Sequence, residues 1–188
     1  MKPHTFIIKN MVCPRCIEAV EEIFAGLNLS IKEISLGVVK TFVPISFDDT
    51  SLIEVLQSRG FDLVKSKEEI LVEKTKAAIV KLVHQLEENP LITNSVWLED
   101  ELQENYQKIS RTFSSITNTT LEKYLILHKI ERAKELMQYD QLTFEAIAYK
   151  LGYKSLSHLS NQFKEVENMS LSEFKKSYES NRKGLEDI

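Results

Sequence analysis

"LTFEAIAYKLGYKSLSHLSNQF", residues 142–163, decides how the C-terminal half reads. Thr143 has the hydroxyl of a helix N-cap, and Ala146, Ile147 and Leu151 follow at the spacing of one buried helical face. Gly152 permits a tight turn. Ser155 then caps a second helix whose Leu159 and Phe163 face inward. Two short helices, a glycine between them and small polar groups outward on the second make helix-turn-helix grammar.

The pattern occurs twice. "ISRTFSSITNTTLEKY" (109–124) and "LSNQFKEVENMSLSEF" (159–174) align without a gap at an offset of fifty residues. Ser110 matches Ser160, Phe113 matches Phe163, Asn118 matches Asn168 and Leu121 matches Leu171. In each copy the Phe is buried, an Asn follows the helix end where a left-handed residue is wanted, and Thr120 or Ser170 caps the next helix. Leu98 and Leu102 match Ile147 and Leu151 at an offset of forty-nine, so the first turn is one residue shorter, and Gln103 stands in place of the glycine. "TLEKYLILHKIERAKELMQYD" (120–140) is one long helix joining the units, with Leu121, Leu125, His128, Ile130, Ala133, Leu136 and Met137 near its apolar side.

Two such units joined by a long helix resemble the DNA-binding domain of the AraC/XylS transcription-factor family. "AIAYKLGYKSLSHLSNQFKEVENMSLSEFKK" (146–176) carries that family's spacing in the second unit, and "KIERAKELM" (129–137) resembles its linker-helix signature. The first unit departs at its turn, and Asn118 and Asn168 stand where the family usually has glycine. The resemblance implies that Gln107, Ser110 and Arg111 face one major groove of double-stranded DNA, and Ser157, Ser160 and Asn161 the next. Arg111 suits a bidentate contact to guanine and Asn161 one to adenine. Lys108 and Lys164 suit phosphate, and His158 faces DNA or solvent. The net charge of −4 argues mildly against nucleic acid, but residues 103–183 hold 13 Lys/Arg against 10 Asp/Glu. The competing reading is a helical protein-interaction domain whose polar faces are merely solvated.

The first 66 residues read differently. "TFIIK" (5–9) is strand-like. "CIEAVEEIFAGL" (16–27) puts Ile17, Val20, Phe24 and Leu27 on one helical face. "SIKEISL" (30–36) and "VVKTFVPISF" (38–47) form a hairpin about Gly37. "DDTSLIEVLQSRG" (48–60) is a capped helix with a glycine stop, and "FDLVK" (61–65) closes as a strand. The order β-α-β-β-α-β is the ferredoxin-like arrangement. The fold class is therefore an α+β ferredoxin-like domain at 1–66, a connecting amphipathic helix at 67–90, an all-α domain with two helix-turn-helix units and a linker helix at 91–180, and a tail at 181–188. The stripe Leu71, Thr75, Ala78, Ile79, Leu82 and Leu86 on the connecting helix either docks within the chain or pairs with a second copy in a homodimer.

"NMVCPRC" (10–16) holds the two cysteines of the chain, three positions apart where the first strand gives way to the first helix. Cys-x-x-Cys there resembles the heavy-metal-associated domain of copper chaperones and metal-pumping ATPases. Met11, Cys13 and Cys16 match that family's motif; Asn10 departs from its glycine. Two soft thiolates on an exposed loop suit a soft ion, copper(I) foremost, and the helix start with Arg15 favours thiolate. The resemblance makes Met11 a buried support and lets Phe61 shield the ion. A thiol redox switch, and a module kept only for packing, are the alternatives. The scattered histidines His4, His84, His128 and His158 offer no tetrahedral zinc site.

No apolar run reaches membrane-spanning length, no signal peptide begins the chain, and no phosphate loop, nucleophile elbow or carboxylate pair points to an enzyme. The sequence reads as a cytoplasmic AraC-type regulator that binds DNA and senses a soft metal through Cys13 and Cys16. The alternative is a metal-trafficking or thiol-redox protein whose helical half binds a partner protein.

Overall fold

The structure is a computed structural model, and it describes residues 1–64, 66–139 and 142–181. The tail expected at 181–188 lies, past Asn181, outside the described residues.

In the N-terminal part, β1 (Lys2–Lys9), α1 (Pro14–Gly26), β2 (Ile31–Ser35), β3 (Val38–Val43), α2 (Thr50–Ser58) and β4 (Asp62–Leu63) follow in the expected order. The strands form one sheet in the order β2-β3-β1-β4, with each neighbouring pair antiparallel. Strand alternation puts Phe6, Ile8, Val39 and Val43 on one face. There they meet Val20, Ile23 and Phe24 of α1 and Leu52 and Leu56 of α2 in a single core. Of the described part of the strand expected at 61–65, Asp62 and Leu63 pair with β1, and Val64 donates its N–H to the Ile7 carbonyl at 2.9 Å. Phe61 is buried in the same core cluster as Met11, against which Cys16 packs.

The helical part comprises α3 (Lys67–Glu88), α4 (Asn94–Leu102), α5 (Tyr106–Thr117), α6 (Leu121–Gln138), α7 (Phe144–Lys150), α8 (Leu156–Glu167) and α9 (Leu171–Asn181). The two units keep their fifty-residue phase: α5 and α8 start, end and bury their Phe at equivalent positions. Thr120, Thr143 and Ser155 each accept a backbone N–H as helix caps. Ser170 and Glu173 exchange reciprocal bonds at the start of α9.

The stripe on α3 docks within the chain. Ile79, Leu82 and Leu86 enter the core of the first unit with Leu98, Ile109, Phe113 and Leu121. Val83, on the neighbouring ridge, enters the core of the second unit with Ile147, Leu151, Leu159 and Phe163. At the other end Glu73, 5% exposed, accepts from the backbone N–H of Asn10 at 3.2 Å and from Lys76 at 2.7 Å.

Each site where the sequence departs from a family glycine has a left-handed backbone. Asn10, Gln103, Asn118 and Asn168 have φ of 68°, 52°, 54° and 57°. Asparagine tolerates that region better than other non-glycine residues, because its short amide can bond locally. Gln103 has no such excuse and holds its place by donating from Nε2 to the Asp100 carbonyl at 2.7 Å. The equivalent turn in the second unit cannot accept a side chain. At Gly152, φ is +68° and an added Cβ would lie 3.0 Å from Leu86 Cδ2 and 3.1 Å from the Pro90 carbonyl oxygen. Two substitutions should therefore act in opposite directions. Gln103→Gly should raise the unfolding free energy by about 1 kcal/mol through relief of backbone strain. Gly152→Ala should lower it by about 2 kcal/mol or more, because strain and overpacking add. Urea unfolding of the two variants checks both signs; a stabilised Gly152→Ala protein contradicts the assignment of that turn.

Candidate functional site

The outward faces of α5 and α8 carry the expected side chains at equivalent positions. Gln107, Lys108 and Arg111 are exposed and Ser110 is half-buried; Ser157, His158 and Asn161 are exposed and Ser160 is half-buried. The burial sequence repeats because Ile109 and Phe113, or Leu159 and Phe163, anchor each helix at 0% exposure. The remaining first-turn positions must then face out.

The structure separates these residues by availability. Lys108 is engaged by Glu104 in an i,i+4 ion pair. Arg111 makes no ion pair or hydrogen bond among the described residues, and neither does Asn161. Lys164 is exposed on the following turn. His158 stands edge-on to the Tyr153 ring, with centroids 5.2 Å apart. A guanidinium and a carboxamide thus stand without intramolecular partners on the second helices of two repeated units, whereas Lys108 is occupied by Glu104.

The units are held by charged ties that the sequence reading did not pick out. Arg132 of α6 donates from Nε and Nη2 to the two carboxylate oxygens of Glu87 on α3, at 2.7 and 3.2 Å. Those bonds raise its affinity for its proton still further. Lys134 bridges α6 to Glu167 of α8 at 3.0 Å. Arg132 and Lys134 sit within the quoted linker-helix stretch, whose polar positions thus act as fasteners.

Around the thiol pair, Cys13 occupies the N-cap of α1 and Pro14 its first turn. The sulfurs lie 2.9 Å apart, and both residues are half-buried. The two thiols differ. The hydrogen bond to Cys16, aided by burial, holds the Cys13 proton above the ordinary thiol value. Burial opposes the Cys16 thiolate, but the Cys13 thiol and the backbone amides at the helix start outweigh it and lower its pKa. Of the two thiols, Cys16 therefore gives up its proton the more readily. Met11 is buried at 1% exposure, as support and not as a surface ligand. Among the described residues no third His, Cys, Asp or Glu completes a metal cluster.

Comparison with known proteins bears on the helical half. Residues 98–177 match the family model described as "Helix-turn-helix domain". The matched residues run from α4 into α9 and so take in both repeated units. The HTH-type transcriptional regulator AlkR of Acinetobacter baylyi is 33% identical over 82 residues, which are 44% of this chain and 26% of that protein. The chain thus spans about a quarter of the length of the curated relative it matches. A DNA-binding transcriptional dual regulator from Escherichia coli K-12 is 15% identical, with a TM-score of 0.49 over 57% of this chain and 95% of that one. A transcriptional regulator from Chromobacterium violaceum is 20% identical, with a TM-score of 0.47 over 56% and 92%. Each of these proteins is named a transcriptional regulator. Among the described residues no helix is long and apolar enough to cross a membrane.

One cation in this domain stands apart. Lys129 of α6 is 7% exposed, without an ion pair or hydrogen bond among the described residues, and burial lowers its pKa to about 8. Its proton is held less tightly in the folded chain than in the unfolded one, so stability should rise as pH climbs from about 8 toward 10. Lys129→Met should add on the order of 2 kcal/mol near pH 7, where the buried charge costs most. That gain should shrink toward pH 9.5. Denaturant unfolding at the two pH values checks this; a gain independent of pH contradicts it.

Proposed function

We propose that the chain is a cytoplasmic transcription regulator that binds double-stranded DNA through α5 and α8 and senses a soft metal ion at Cys13 and Cys16. One observation carries the DNA-binding reading: two helix-turn-helix second helices expose the same positions fifty residues apart, with Arg111 and Asn161 uncovered and unengaged. Gln107, Ser110 and Arg111 meet one major groove and Ser157, Ser160 and Asn161 the next. Lys108, His158 and Lys164 lie toward the backbone. The local surplus of cations is small, so affinity depends on both units engaging at once. Arg111→Ala and Asn161→Ala should each weaken binding to a duplex selected from random sequence by about 1–3 kcal/mol and relax preference at one base. Lys164→Ala should weaken all sequences alike and reduce the salt slope. Fluorescence anisotropy across a salt series measures this. Salt-independent or absent binding contradicts the reading and favours a protein partner for the helical half.

For the N-terminal module the strand order β2-β3-β1-β4 with two helices on one face supports the ferredoxin-like, heavy-metal-associated reading. The donor set fits a soft ion, copper(I) foremost: two thiols at a helix start, one already favouring thiolate. Cys13 and Cys16 would hold such an ion through their sulfurs, which lie 2.9 Å apart, and the ion would supply soft-ligand binding at the start of α1.

The loop is connected to the helical half at two points. Asn10, at its start, is bonded to Glu73 of α3. Pro14 and Ile17, at its end, share a groove of about 590 Å³ with Val80 and His84 of α3 and Trp97 of α4. A rearrangement of the loop on metal capture would reach α3 through this groove, and α3 packs into the cores of both units. Coupling requires that the ion prefer one packing over the other. Replacing Cys13 and Cys16 by Ser should abolish copper(I) uptake in competition with a chromogenic chelator. Glu73→Ala should leave uptake intact while reducing any copper-dependent change in DNA affinity. Equal uptake by the serine variant rules out the thiol site.

A further inference from the structure

Among the described residues three buried side-chain atoms lack a hydrogen-bond partner: Asn94 Oδ1, Tyr153 Oη and Gln162 Oε1. All three residues line one cleft of about 560 Å³ between the two helix-turn-helix units, with Leu125 and Ile126 of α6 as its apolar wall. Lys129 lines it too. Its Nζ stacks over the Tyr153 ring, 5.2 Å from the centroid, with no acceptor among the described residues. Lys129 and Tyr153 are 7% and 8% exposed. Unmet polar groups are scarce in folded proteins, because each costs the desolvation it never recovers. Here the three residues that carry them line one cavity together with an unpaired buried cation, a grouping better explained by something that enters it than by independent defects.

We infer that this cleft is a ligand site, and that its ligand is a small apolar monocarboxylate bearing a hydrogen-bond donor, such as a hydroxy acid or an amino acid. Lys129 and the Tyr153 hydroxyl supply donors for the carboxylate. The unpartnered amide oxygens of Asn94 and Gln162, on half-buried side chains that can turn toward the cavity, accept from the ligand's hydroxyl or amino group. Leu125 and Ile126 cover its apolar body. The volume suits a molecule of that size. Exposed Glu122 on the rim disfavours a dianion. A duplex phosphate is a poor occupant, since a rigid backbone stays at the surface while Lys129 and Tyr153 are almost wholly covered.

The ligand would bridge Asn94, at the start of α4 in the first unit, to Tyr153 and Gln162 of the second, and so fix the spacing of α5 and α8. That consequence rests on the DNA-binding reading; occupancy of the cleft does not, and it is tested without DNA. The probe is mandelate, with benzyl alcohol as the carboxylate-free control, titrated into the full chain and followed in amide NMR spectra. Saturable shifts are expected around residues 94, 129, 153 and 162. Binding should weaken by about tenfold or more in Lys129→Met and by several-fold in Tyr153→Phe. Benzyl alcohol should bind about tenfold more weakly, or not at all. Thermal melts establish that both variants fold. The inference is overturned by no saturation up to about 10 mM, by equal affinity in both variants, or by shifts confined to the exposed faces of α5 and α8. It also fails if duplex DNA alone produces the same shifts at Lys129 and Tyr153 and excludes mandelate, since the occupant is then a phosphate.

Discussion

Helix α3 must bury apolar side chains on two adjoining ridges, and the rest of the arrangement depends on that requirement. Ile79, Leu82 and Leu86 complete the core of the first unit, and Val83 that of the second. Each such side chain contributes roughly 1.5–3 kcal/mol when withdrawn from water, so neither unit keeps its packing if α3 is displaced. The Arg132–Glu87 pair fixes the register of α3 on the linker helix, and the Glu73–Asn10 bond fixes its other end to the cysteine loop. A helix that reads as a connector in the sequence is thus shared structure. Any change at the N-terminal module that shifts α3 is felt in both units at once, because close-packed cores shift between arrangements instead of deforming smoothly.

Much of this was legible in the residues, for physical reasons. The duplicated Phe, Asn and Thr/Ser positions fixed the phase of both units, because a buried anchor, a left-handed stop and a cap each demand a narrow set of residue types. The alternation in β1 and β3 and the glycines at 37 and 60 located the sheet and its turns. The departures at Asn10, Gln103, Asn118 and Asn168 looked like weaknesses in the resemblances, yet each retains the left-handed backbone that glycine would supply. Backbone demands outlast side-chain identity at such positions. In "FDLVK" the strand composition holds for Asp62, Leu63 and Val64, which bond to β1, while Phe61 before them packs into the core.

Other features left little trace in the sequence. Glu73 lies between Val72 and Lys74 on α3, and nothing in its spacing announces a buried carboxylate that accepts from a loop sixty-three residues away. Lys129 did leave a signal. It falls four residues from both Leu125 and Ala133, on the apolar ridge of the linker helix, and a cation there is either a snorkelling side chain or a buried one in need of a partner. The helical half therefore carries two kinds of polar surface. One is exposed, repeated and suited to a long charged partner. The other is enclosed, unrepeated and unsatisfied, and it is costly to keep unless something occupies it. Stability given up at one place without structural return is characteristic of functional sites.

The central claim is that α3 and α6 hold two equivalent reading helices at a fixed spacing against one face of a duplex. Hydroxyl-radical footprinting of the full chain on a selected site tests it most directly. The account predicts two protected patches on the same face, separated by about one helical turn, roughly 10–10.5 base pairs. A single patch, or protection wrapping around the duplex without that period, would contradict it.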